Sequence, residues 1–62
     1  MLESYADLIT RTELQEILHI KSATAYKLIN TELYAFKQGN HWLISKESLI
    51  DYIEEKMCEN HH

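Results

Sequence analysis

The chain concentrates its positive charge in its middle third. Between Ile20 and Lys46 there is a single acid, Glu32, and there are four lysines: Lys21, Lys27, Lys37 and Lys46. The remainder holds two bases and nine acids, so the net charge of −4 hides a segregated pattern. Such a pattern can present a basic face on an acidic protein and attract a polyanion. We expect the four lysines to share one face, opposite most of the acids. The alternative is that they are scattered over the surface and solvated.

The carboxy-terminal segment carries side chains that could bind a metal. Cys58, His61 and His62 lie close together in sequence, and zinc prefers sulfur and imidazole ligands. On a terminus that we expect to be frayed, three such residues are a weak metal signal. We therefore predict no metal and no other cofactor. The single cysteine excludes a disulfide framework, which is typical of a reducing compartment.

The sequence contains no arrangement that indicates catalysis. It has no paired nucleophile and base, and its one glycine cannot form a phosphate-cradling loop. The acids Asp51, Glu54 and Glu55 are interpreted as a solvated helix face. We predict that the protein is not an enzyme.

The length of 62 residues limits the chain to one domain. We expect a single domain over residues 1–62, with an ordered core at about 8–57. No apolar run approaches the ~20 residues that a membrane span needs. Residues 1–10 carry two acids and no base, which is unlike a signal peptide. We expect a cytoplasmic protein that does not bind membranes.

Two short helices are predicted in the first half of the chain. Thr10 and Glu13 have the spacing of a capping box, which predicts a helix over about 11–18. His19 stands where that helix ends and is interpreted as its C-terminal cap. Ser22 is a candidate N-cap for a second helix over about 23–30. Two helices joined by so short a turn form a helix-turn-helix.

A hairpin and a third helix follow. Two β-prone runs, 34–37 and 41–44, flank Gln38-Gly39-Asn40, where glycine can supply the positive φ of a tight turn. Ser45 is a candidate cap for a last helix over about 46–57. The predicted fold class is mainly α with a small β-hairpin, a winged helix-turn-helix of three helices plus a two-stranded wing.

The predicted core combines the apolar positions of all these elements. Trp42 and Phe36 are interpreted as core aromatics, because a small domain needs their apolar area. Stacking of Trp42 on a base or in a partner's pocket is the alternative. The full predicted core is Leu14, Ile17, Leu18, Ala25, Leu28, Ile29, Phe36, Trp42, Ile44, Leu49 and Ile53.

An ordered set of residues resembles a known family. It comprises Leu8-Ile9-Thr10, Glu13-Leu14, Ile17-Leu18, Thr24, Tyr26-Lys27-Leu28-Ile29, Ala35-Phe36-Lys37, Gly39, Trp42, Ile44-Ser45 and Leu49. This set, over about residues 8–52, resembles the small winged helix-turn-helix proteins of the excisionase family, which are similar to the MerR-type DNA-binding domain. The resemblance implies binding of double-stranded DNA, with the second helix in the major groove and the wing on the backbone or minor groove. It also implies a role in phage or mobile-element excision, a form of DNA recombination, or in transcription regulation.

Carried over position by position, the resemblance implies contacts from both elements. Those of the second helix are Ser22, Ala23, Thr24, Tyr26 and Lys27, with Tyr26 near a phosphate. Those of the wing are Lys37, Gln38, Asn40 and His41. His41 is alternatively a solvated loop histidine.

The sequence departs from the family at positions where basic residues are usual. The family commonly has two basic residues at the positions of Ser22-Ala23 and of Asn40-His41, and one at the position of Leu43. Each lost phosphate contact weakens non-specific affinity. Three alternatives therefore stay open: binding as an oligomer, cooperative binding, or exchange of DNA for a protein partner. The last would make the chain a protein–protein interaction module on the same scaffold, and a recombinase or a second copy on DNA are candidate partners.

Overall fold

A computed structural model of the chain describes residues 2–59. Within that range there are three helices and three strands, which confirms the predicted fold class and adds one strand. The elements in chain order are β1 (Leu8–Thr10), α1 (Arg11–Leu18), α2 (Ser22–Thr31), β2 (Ala35–Gln38), β3 (His41–Ser45) and α3 (Lys46–Glu59). No helix in this range combines the length and apolar character needed to cross a membrane.

Helix α1 begins and ends as predicted. The Glu13 backbone N–H donates to Thr10 Oγ1 at 3.2 Å, and the Thr10 N–H donates to Glu13 Oε1 at 3.0 Å, which completes the capping box. At the other end His19 adopts a left-handed conformation with φ 57°. The Ile20 N–H then donates to the Gln15 carbonyl at 3.2 Å, as in a Schellman motif.

Helix α2 begins one residue earlier than predicted. Lys21 is its extended N-cap residue, and no side chain caps this end of the helix. The prediction of Ser22 as N-cap is therefore wrong. Ser22 is already the first helical residue. Its hydroxyl therefore does not occupy the N-cap position, where a side-chain oxygen accepts hydrogen bonds from the free N–H groups of the first turn.

The three strands form one antiparallel sheet in the order β1-β3-β2. β1 is an addition to the predicted hairpin, and it places Ile9 opposite Ile44. Across β3, Ile44 also faces Ala35 of β2. Gln38 belongs to β2 and pairs with His41, so the turn is Gly39-Asn40 and the predicted three-residue turn is wrong, although Gly39 has the expected positive φ of 62°.

The hairpin register places the two predicted core aromatics on opposite faces. Phe36 pairs with Leu43, whereas Lys37 pairs with Trp42. Trp42 packs half-buried against the core, but Phe36 is 48% exposed, so its prediction as a core residue is wrong. Side chains alternate between faces along a strand, and the core touches only one face of this sheet.

The core lies between that sheet face and the helices. Five predicted core residues are buried, and five more pack partly buried against them: Leu14, Ala25, Ile29, Ile44 and Leu49, then Ile17, Leu18, Leu28, Trp42 and Ile53. Ile9 and Leu33 are buried as well and were not predicted.

Helix α3 is capped as predicted and extends two residues further. The Ser48 N–H donates to Ser45 Oγ at 3.3 Å. Ser48 Oγ donates to the Ser45 carbonyl and accepts the Tyr34 N–H at 3.2 Å, which ties α3 to the segment before β2. This segment follows α2 directly, so the contact fixes where the wing leaves the helices.

Candidate nucleic-acid interface

One face of α2 is free of contacts with the core. Ala25 and Ile29 are buried, so the helical repeat turns Ala23, Lys27 and Asn30 away from the core, and all three are exposed. Their side chains are small, cationic and polar, which suits close approach to a polar groove. The N-terminal end of α2 lacks a side-chain cap, and Lys21 stands beside it.

The wing presents four polar side chains at its distal end. Lys37 and Gln38 end β2, Asn40 lies in the turn, and His41 begins β3. All are exposed, as are the five predicted contact residues on α2. The nine predicted contact residues are therefore accessible in the described part of the chain.

A small notch joins the wing to the two helices. Its volume is about 90 Å³, and its lining includes Arg11, Tyr26, Asn40 and His41. The guanidinium carbon of Arg11 lies 5.2 Å from the centre of the Tyr26 ring, a cation–π geometry. The structure thus brings Tyr26 together with two of the predicted wing residues.

Thr24 lies on the other flank of α2. It lines an open groove of about 530 Å³ between the helix-turn-helix and α3. The groove is mostly apolar, with Leu28, Ile53 and Met57 among its lining residues. Thr24 is therefore separated from the notch, although it is exposed.

Two lysines are engaged by neighbouring groups. Lys46 Nζ donates to the Tyr5 carbonyl at 3.1 Å and lies 3.9 Å from Asp7 Oδ1, and its side chain is 19% exposed. The charge of Lys46 is therefore engaged by the N-terminal segment, and the expectation that the four lysines share one face stays a prediction. Lys56 Nζ lies 3.5 Å from Glu59 Oε2, and that carboxylate raises the pKa of Lys56. Within residues 2–59, Lys21, Lys27 and Lys37 form no ion pair.

Arg11 lines the notch beside the wing, and the sequence interpretation did not single it out. It occupies the first position of α1, where the helix dipole disfavours a cation. That mismatch is the only local signal for a role outside the helix. Its proximity to Tyr26 depends on how α1 packs on α2, which the local sequence does not specify.

The described residues contain no group of three metal-binding side chains. Cys58 is exposed on α3. His61 and His62, the other members of the candidate ligand set, lie outside the described residues.

Comparison with known proteins agrees with the geometry of the helices and wing. The family model described as a helix-turn-helix domain, a family that includes excisionase-like proteins, matches residues 8–57. Neither a curated protein nor a solved structure matches the chain. The matched region covers all three helices except the last two residues of α3, together with the whole sheet. The chain therefore belongs to the helix-turn-helix domain family.

Proposed function

We propose that this protein binds double-stranded DNA sequence-specifically, with α2 in the major groove and the wing on the backbone or minor groove. It acts in the cytoplasm, in excision of a mobile element or in small-scale transcriptional regulation. The observation that carries the proposal is the free outer face of α2 within a helix-turn-helix domain. A recognition helix needs such a face to reach base edges.

The distribution of unpaired cations supports this orientation. Lys21 and Lys27 belong to the start and the outer face of α2, and Lys37 belongs to the wing. None forms an ion pair within residues 2–59, so their charges are available to phosphates. The uncapped N-terminus of α2 adds free backbone N–H groups and a favourable dipole beside Lys21.

Selection from a random-sequence duplex pool, followed by titration of the enriched duplex, tests the proposal. The unmodified chain should enrich one sequence class and bind it more tightly than a scrambled duplex of equal composition. Lys27→Gln should weaken binding to both duplexes. Lys56→Gln is the matched control, since it removes the same charge from a lysine already paired with Glu59, and it should leave binding unchanged.

Failure to enrich any duplex at low salt would refute DNA binding. Equal weakening by Lys27→Gln and Lys56→Gln would show that net charge, rather than α2, governs the affinity. If DNA binding holds, deletion of the gene separates the two roles: an excisionase is required for loss of the element, whereas a regulator changes transcript levels.

Protein recognition is the second candidate function. The groove lined by Thr24 and α3 favours protein recognition, because the lining is mostly apolar. Met57, one of the lining residues, is 63% exposed. Exposed apolar surfaces of this kind often bind proteins. Met57→Glu should abolish a protein interaction at this groove, such as one with a recombinase, and leave the affinity for DNA unchanged.

A further inference from the structure

The notch beside the wing is lined by three segments that are distant in sequence: residues 10–12, Tyr26 and residues 40–42. Arg11 and Thr12 come from the start of α1, Tyr26 from α2, and Asn40 and His41 from the wing. Its volume of about 90 Å³ exceeds the space that one water molecule requires. The notch can therefore hold a group larger than a single water.

The polar groups in the notch favour an anion. Arg11 supplies a guanidinium, Thr12 and Tyr26 supply hydroxyls, and Asn40 and His41 supply further N–H donors. No carboxylate lines the notch among the described residues. The nearby Glu13 carboxylate already accepts hydrogen bonds from the Thr10 backbone N–H and side chain.

The Arg11 guanidinium is held in place without being neutralised. It donates to the Gln15 side-chain oxygen, a neutral amide, and lies over the Tyr26 ring. Within residues 2–59 it forms no ion pair with an acid. A guanidinium that is oriented but still fully charged is well suited to a phosphate, because its fork of donors matches two oxygens.

We propose that this notch is a binding site for one DNA backbone phosphate. Arg11 is the charged ligand of the phosphate, and Tyr26 and the wing line the site. The proposal rests on the proposed DNA-binding function and adds a contact from α1. It supplies a cation where Ser22-Ala23 and Asn40-His41 provide none. One phosphate held by both helices and the wing would also fix the position of α2 in the groove.

The salt dependence of DNA binding by three variants tests the phosphate-binding site. Binding to a mixed-sequence duplex of two helical turns is measured between about 50 and 200 mM salt, where each phosphate contact contributes about 0.9 to the slope of log Kobs against log salt. Arg11→Gln should lower the magnitude of that slope by about one unit, so that its salt-induced loss of affinity is roughly fourfold smaller than that of the unmodified chain. Arg11→Lys keeps the charge and should keep the slope. Lys56→Gln, the charge-matched control, should also keep it.

A second measurement locates the phosphate itself. Single methylphosphonate substitutions along the duplex enriched by the unmodified chain remove one backbone charge at a time. At one position, neutralisation should weaken the unmodified chain and leave Arg11→Gln unaffected. Circular dichroism of each variant checks that the helices are retained.

The outcomes distinguish failure of the phosphate-binding site from failure of the proposed DNA binding on which it rests. If Arg11→Gln and the unmodified chain bind DNA with the same slope of log Kobs against log salt, that result would overturn the phosphate-binding site alone. Sensitivity of Arg11→Gln to every methylphosphonate that weakens the unmodified chain would do the same. Absence of DNA binding by the unmodified chain would overturn both proposals.

Discussion

The basic side chains of this protein divide into two groups by their partners. Lys46 and Lys56 are close to carboxylates, at 3.9 and 3.5 Å, and Lys46 also bonds a carbonyl. Lys21, Lys27 and Lys37 have no such partner within residues 2–59. Only charges that are not already compensated can replace the counterions of DNA at full strength. Two substitutions that remove the same charge should therefore differ in effect according to the group.

Lys37→Ala is predicted to weaken binding to all duplexes by similar factors. Lys37 lies on the wing and is proposed to contact a phosphate, which carries no sequence information. The slope of log Kobs against log salt should fall in magnitude by about one unit. Fluorescence anisotropy with the selected and the scrambled duplex measures both effects. A loss confined to the selected duplex would mean that Lys37 reads bases.

Thr24→Ala is predicted to reduce discrimination between sequences. Thr24 is proposed to contact base edges or thymine methyl groups, so its loss should reduce the preference for the selected duplex by about 1–3 kcal/mol at most. Affinity for the scrambled duplex should be almost unchanged. Because Thr24 also lines the apolar groove, unchanged discrimination would assign it to that groove instead.

The N-terminal ends of α1 and α2 differ in capping, although a hydroxyl residue stands near the start of each helix. Thr10 forms a reciprocal capping box, whereas α2 begins without a side-chain cap despite Ser22. Thr10→Ala should therefore lower the free energy of unfolding by about 0.5–2 kcal/mol. Ser22→Ala, the matched control, should change it by less than about 0.5 kcal/mol. Urea titration followed by circular dichroism measures both, and equal losses would show that Ser22 does cap α2.

The two faces of the sheet predict a similar contrast. Ile44 is fully buried between Ile9 and Ala35, so Ile44→Ala should cost about 2–5 kcal/mol and the milder Ile44→Val about 0.5–1.5 kcal/mol. Phe36 pairs with Leu43 across the strands, on the face opposite the core, and Phe36→Ala should cost below about 1 kcal/mol. Thermal melts of the three variants measure the difference. A larger loss for Phe36→Ala than for Ile44→Val would place Phe36 in the core.

Local signals predicted the three helices, but not the N-cap of α2 or the whole sheet. The capping box, the C-terminal cap at His19 and the positive φ of Gly39 each depend on a few neighbouring residues and are confirmed. β1 has only three residues, and it exists because Ile9 pairs with Ile44 far along the chain. The predicted three-residue turn would pair Phe36 with Trp42 on one face, whereas the observed two-residue turn at Gly39-Asn40 pairs Phe36 with Leu43, on the face opposite Trp42.

The candidate interface follows the same distinction. That α2 and the wing expose their polar residues could be predicted from periodicity and turn chemistry. The pairing of Arg11 with Tyr26 could not, because it depends on the packing of α1 against α2. The engagement of Lys46 by Tyr5 and Asp7 likewise depends on a contact between the N-terminal segment and the start of α3, which are distant in sequence.

At the scale of the whole molecule, a small number of cations must act against a net charge of −4. Those without an acid partner in residues 2–59 are Arg11, Lys21, Lys27 and Lys37. Four phosphate contacts are few beside those of strongly salt-dependent DNA-binding proteins. Affinity sufficient for a unique site would then come from base contacts, or from more than one copy of the chain on the DNA.

The salt dependence of the unmodified chain distinguishes these two cases. One copy that neutralises four phosphates should give a slope of roughly −3.6 or shallower, since each contact contributes about −0.9. Two copies that bind one duplex together should give a slope about twice as steep for the combined event. Analytical ultracentrifugation of the complex counts the copies independently. A slope far steeper than −3.6 with a single copy bound would mean that further basic side chains contact DNA. Lys46 and Lys56 would then have to leave the carboxylates beside which they lie.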